Sequence, residues 1–213
     1  WDLYDRNDFS LAGYQKKAKN SPDLAYHNFG ELRSYSDIPN EGPVSPEKQK
    51  ELIHGYYAAT SFIDQMVGML THKLQELNLE KNTIVILWGD HGWHLGDHNL
   101  WCKHSNFEQA TRTPMIIKYP GQKKIGKQYW HPTEYVDIAP TLCQLTGLEI
   151  PEYFQGKSLV PALQNPDFQI REAALSQYPR GGGKQYMGYS IRTERYRYTQ
   201  WVNRETGEVA EAE

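Results

Sequence analysis

The stretch from Thr83 to Lys103, TIVILWGDHGWHLGDHNLWCK, constrains the fold more than any other. Thr83 to Trp88 is an unbroken β-branched and aromatic run without polar alternation, the pattern of a parallel strand buried on both faces. The run stops at Gly89. Asp90 and His91 then stand at the carboxyl end of a central strand, where open α/β sheets place their ligand sites, and Gly92 lets the chain turn away without a Cβ. His94, Asp97, His98, Lys103 and His104 follow within fourteen residues of Asp90, in a loop that also holds Trp93 and Trp101. So many metal- and anion-binding groups in one turn-rich loop read as chemistry. A solvated loop with incidental histidines is the plainer alternative.

The flanking segments define the class. Ser45-Pro46-Glu47 opens a helix, with Ser45 as N-cap and Pro46 at the first helical position. Leu52, Tyr56, Ile63, Met66, Leu70 and Leu77 fall on one stripe at helical spacing, which predicts a long helix packed on a sheet. Before it, Trp1 to Pro43 has no sustained periodicity and is expected to wrap another part of the protein. Beyond the loop, Pro114 to Tyr119 predicts a second strand, and Asp137 caps a helix, DIAPTLCQLTG, that Gly147 ends.

A shift to Pro, Gly and Gln across 151–167 marks a boundary, giving a main unit at 1–168 and a small sub-domain at 169–213. In the second, Ala173 to Gln177 reads as a strand and Met187 to Trp201 as an antiparallel hairpin, while Asn203 to Glu213 contains no terminating element. The expected fold is α/β: part of a mixed, mainly parallel sheet flanked by helices, with the start of a small C-terminal antiparallel sub-domain.

A net charge of −3 over 213 residues gives no footprint for nucleic acid. No apolar run approaches the ~18 residues of a membrane span, and no signal-peptide pattern is present. The two cysteines have no CxxC spacing. Cys143 sits among apolar residues as core, and Cys102 has no evident base beside it to make it a nucleophile.

The run ILWGDHGWHLGDHNLWCKHSNFEQATRTPMIIKYPG resembles the second signature region of type I sulfatases, within the alkaline-phosphatase superfamily. The upstream helix and the downstream VDIAPTLCQLTGLEIP and GKSLVPAL segments resemble the same family in the same order, and SQYPR followed by MGYSIRTERYRYTQW is similar to iduronate-2-sulfatases. The resemblance implies a sulfuric ester hydrolase acting on a sulfated sugar or glycosaminoglycan. It makes Asp90 and His91 ligands of a divalent cation, calcium first, with magnesium or manganese open because calcium prefers oxygen donors. It makes Lys103 the residue that grips the sulfate oxygens, a role suited to a compact ammonium. His94, His98 and His104 are expected to line the pocket, and Arg180 and Lys184, on the GGGK loop, to meet a sugar carboxylate.

Two family features are absent from these residues. The C/S-x-P-x-R motif that yields formylglycine has no match, since Cys102 is followed by Lys103-His104, and no Asp-Asp pair supplies further metal ligands. Both are expected in an N-terminal half of the same enzyme, which makes this chain the C-terminal half, inactive alone. A bacterial periplasmic or secreted location is implied, and the lack of an Asn-x-Ser/Thr sequon argues against a lysosomal glycoprotein. A metal-dependent phosphomonoesterase or phosphodiesterase of the same superfamily, or a non-enzymatic carbohydrate- or metal-binding module, are the alternatives.

Overall fold

The computed structural model describes residues 1–28 and 30–212, in two compact units, Trp1–Ile116 and Ile117–Glu213. In the first, α1 is a single turn (Gly30–Arg33) and α2 a helix of 31 residues (Pro46–Glu76). The Ser45 hydroxyl accepts from the Lys48 amide at 3.2 Å, and Pro46 occupies the first turn, as the sequence predicts. The segment before α2 does wrap it. Trp1 meets the His54 ring edge-on at 4.8 Å and Phe9 meets Tyr57 at 4.8 Å.

The core of this unit gathers Leu32, Ile38, Val44, Trp101 and Cys102, with Leu52, Trp93 and Leu95 packed against it. It therefore sits under the N-terminal turns of α2, where Gln49, Ile53 and His54 are buried. The rest of the predicted stripe is different: Ile63 is 54% and Leu70 69% exposed. The expected packing on a sheet thus fails beyond the first turns, and the reason is size. A helix of this length runs ~46 Å, whereas β1 (Val85–Trp88) and β4 (Met115–Lys118) form a sheet of two short strands, roughly 10 Å wide. For the same reason β1 is not buried on both faces, and Leu87 and Trp88 lie exposed.

The second unit holds α4 (Ile138–Thr146), α5 (Val160–Gln164) and a four-stranded meander, β5 (Ala173–Arg180), β6 (Tyr186–Thr193), β7 (Arg197–Asn203) and β8 (Val209–Ala212). Ala173 pairs with Thr193, Tyr186 with Asn203 and Trp201 with Glu211, all antiparallel. Trp201 is wholly buried, and β8 supplies the closing element that the polar tail did not announce. Gly147 ends α4 in the left-handed region at φ 75°. Asp137 does not cap that helix with its side chain. Its carboxylate accepts instead from the amides of Glu134 (2.9 Å) and Lys157 (2.8 Å) and pairs with Arg171.

Helices and sheets are both present, as an α/β chain requires, but the ladders of β5 to β8 are antiparallel. A mainly parallel sheet is not what they form. Among the described residues no helix is long and apolar enough to cross a membrane.

Candidate active site

The loop after β1 is set by contacts between backbones. The Gly92 amide donates to the Ala110 carbonyl at 2.8 Å, on α3 (Glu108–Thr111). A Cβ on Gly92 would lie 2.0 Å from the Gln109 carbonyl oxygen, so the residue must be glycine for closeness rather than for φ. The chain then forms a two-residue ladder, β2 (His94–Leu95) with β3 (Trp101–Cys102), in which His94 faces Cys102. Four residues of the hairpin have positive φ: Gly96, His98, Asn99 and Cys102. Trp101 and Cys102 are each 2% exposed, which anchors β3 in the core and fixes the backbone from which Lys103 emerges.

Asp90 and His91 stand at the strand end, as the sequence predicts, with Asp90 exposed. The His91 Nδ1 lies 2.8 Å from the Gly92 carbonyl oxygen. A carbonyl only accepts, so Nδ1 donates, and Nε2 lies 3.3 Å from Asp90 Oδ2. Two donors facing one another at that distance can share one cation, and Nε2 with a backbone-anchored Nδ1–H is the tautomer a metal-bound histidine uses. They supply part of a shell only. Among the described residues no group of three or more His, Cys, Asp or Glu could hold a metal ion.

His91 stacks on Trp93 with ring centroids 5.8 Å apart, and the Lys103 ammonium lies 5.4 Å from the centre of the same indole. Lys103 Nζ donates to Glu31 Oε1 at 2.7 Å, and His104 Nε2 is 3.5 Å from Glu31 Oε2. That hydrogen bond holds the Lys103 pKa above the ordinary lysine value, against a smaller opposing effect of burial. A connected series results: Asp90, His91, Trp93, Lys103, Glu31 and His104. Glu31 was invisible in the sequence, because it lies 72 positions from its partner in a segment without periodicity.

The other two loop histidines face inward. His94 is fully buried, with Nε2 2.7 Å from the Ser105 hydroxyl oxygen, and His98 stacks on Phe107 at 5.0 Å between Tyr14 and Tyr26. Both shape the loop. In the second unit, Arg180 is 9% exposed beneath Tyr178 and Trp201, at 5.0 and 5.7 Å, and burial lowers its pKa to about 10, which leaves it charged at neutral pH. Lys184 is exposed on the glycine loop with φ 61°.

The fold that carries this Asp-His strand end and loop lysine is alkaline-phosphatase-like. Within that class the chain belongs to the sulfatase family, whose model matches residues 12–148, while a model described as N-sulphoglucosamine sulphohydrolase, C-terminal, matches residues 96–211. Iduronate 2-sulfatase of Homo sapiens is 30% identical over 94% of the chain and 48% of its own length. The ulvan-active sulfatase of Formosa agariphila is 33% identical over 75% of the chain and 32% of its length. A solved structure of a protein in complex with its substrate D-glucosamine-2-N,6-O-disulfate superposes with a TM-score of 0.68 at 28% identity, over 84% of this chain and 37% of that one. The chain thus spans about half the length, or less, of the curated relatives it matches.

Proposed function

We propose that this chain is the C-terminal part of a sulfuric ester hydrolase that removes sulfate from a sulfated saccharide, with iduronate-2-sulfatase-like specificity. The observation that supports it most is the Lys103 ammonium, charged, anchored by β3 and adjoining the Asp90–His91 strand end. An ammonium there can stabilise the sulfuryl oxygens as charge moves onto the leaving oxygen. A divalent cation, calcium first, would be held in part by Asp90 and His91 and would neutralise the sulfate's charge. The nucleophile, expected to be formylglycine, and the remaining ligands come from an N-terminal half, which also completes a larger, mainly parallel sheet on β1 and β4. The complete protein would work in the bacterial periplasm or outside the cell.

For specificity, Lys184 is the group we assign to a sugar carboxylate, since it is exposed on the glycine loop, while Arg180, buried under two aromatic rings, serves as its structural base. A Lys184→Ala enzyme should lose activity on sulfated uronates and keep it on neutral sulfated sugars. Equal loss on both removes this assignment.

The central test is Lys103→Ala in the complete enzyme. Losing one charged donor to a transition-state oxyanion costs about 3 kcal/mol, roughly a hundredfold in kcat/KM. Near-wild-type turnover of an aryl sulfate by the variant, or turnover of phosphate esters in preference to sulfate esters, would overturn the reading.

A further inference from the structure

We propose that Glu31 is a positioning residue for sulfate recognition: its carboxylate grips the Lys103 ammonium with one oxygen and faces the His104 imidazole with the other, setting both groups in one orientation. This rests on the reading of Lys103 as the group that holds sulfate. A carboxylate beside an anion site is unexpected by charge alone, because it repels the ligand, so its presence asks for a different account.

The geometry provides one. Lys103 Nζ to Glu31 Oε1 is 2.7 Å, and Glu31 Oε2 to His104 Nε2 is 3.5 Å. An ammonium has more N–H donors than this single bond uses, so Glu31 fixes its direction and leaves donors for an anion. The pair is no loose surface contact of the kind that contributes little. The Lys103 and Glu31 side chains are only 30% and 27% exposed, and Trp93 covers Lys103 from another side. Glu31 also has a rigid base, for its neighbour Leu32 is 5% exposed in the core cluster that contains Trp101 and Cys102. The same cluster therefore anchors both partners, Glu31 through α1 and Lys103 through β3. A lysine left to itself samples many rotamers, and a site that recognises sulfate gains from one held in advance.

The experiment compares the complete wild-type enzyme with Glu31→Ala, Glu31→Gln and Glu31→Asp. Two quantities are read: kcat and KM on an aryl sulfate, and the rate at which an amine-acylating reagent modifies Lys103, followed by peptide mass spectrometry. Positioning predicts that Ala and Gln lower kcat/KM about ten- to hundredfold, the range for partners that orient site residues. Lys103 acylation should accelerate severalfold in the same variants, because the ammonium loses the bond that holds its proton, and Asp should recover part of both effects. Glu31→Gln keeps the shape of the side chain and serves if Glu31→Ala does not fold. Unchanged acylation of Lys103 in a folded variant would overturn the proposal, whether or not activity falls, since Glu31 would then not act through Lys103. Faster acylation in a protein whose wild type hydrolyses no sulfate ester would leave the clamp standing and overturn the sulfatase reading instead.

Discussion

Cys102 shows how its surroundings make a polarisable side chain inert. Burial pushes its thiol up to about 11, with the Glu31 charge adding to the effect and Lys103 and the Leu32 amide opposing it. A free thiol ionises near ~8.5, so in mild alkali the folded protein keeps a proton that the unfolded chain gives up. Stability should be unaffected by this group below that value and decline as pH rises from there toward 11. Accordingly, iodoacetamide should alkylate Cys102 far more slowly in the native than in the denatured protein, and half-buried Cys143 should react first; equal native rates would contradict this. Gly92 offers a second residue-scale test. A methyl group there meets the Gln109 carbonyl at 2.0 Å, so Gly92→Ala must displace α3 or the Asp-His turn. Overpacking of this kind costs about 1–3 kcal/mol, which calorimetry would register as a lowered Tm.

Among elements, the 3-10 turn at Tyr135–Asp137 that leads into α4 is held from several sides. Glu134 and Asp137 form a reciprocal capping box, Asp137 is wholly buried, and Arg171 pairs with both carboxylates. Asp137→Ala would leave Arg171 with Glu134 alone and take the acceptor from the Glu134 and Lys157 amides, a cost of about 1–3 kcal/mol, the scale for a buried donor left unpaired. Chemical denaturation of the variant checks it. This turn also marks the boundary of what the sequence can tell. Local signals were legible: Ser45 and Pro46 at the start of α2, Gly147 at the end of α4, the strand-forming runs of β1 and β4, and the hairpin of β6 and β7. Each of those is decided within a few residues. Asp137 was readable as a helix cap and is instead a hub, because its partner is 34 positions away, and Glu31 escaped notice for the same reason. The burial of α2 was misjudged in the opposite sense: its stripe is real, but periodicity says only that a helix has an apolar face, and packing needs a second surface wide enough to meet it.

At the scale of the whole molecule that surface is lacking. Phe62, Ile63, Met69 and Leu70 on α2, Trp88 on β1 and Ile116 on β4 are all exposed. Scattered apolar residues on a surface need no explanation, but those that recur at helical spacing on one helix, Phe62 with Met69 and Ile63 with Leu70, mark an apolar face that does. We expect these 213 residues alone to bind a hydrophobic dye and to self-associate; a monomeric, dye-silent preparation would refute this. The meander of β5 to β8 stands apart, because each of its strands pairs with the next along the chain. Short loops close quickly, and folding rates fall as contacts become more distant in sequence. β1, by contrast, must wait for β4 across the whole Asp-His and lysine loop. In a pulse-labelling hydrogen-exchange experiment on refolding protein, the amides of β6 and β7 should therefore be protected well before those of β1. The loop that carries Asp90, His91 and Lys103 would then find its place last, after the separate sheet of the other unit had already been built.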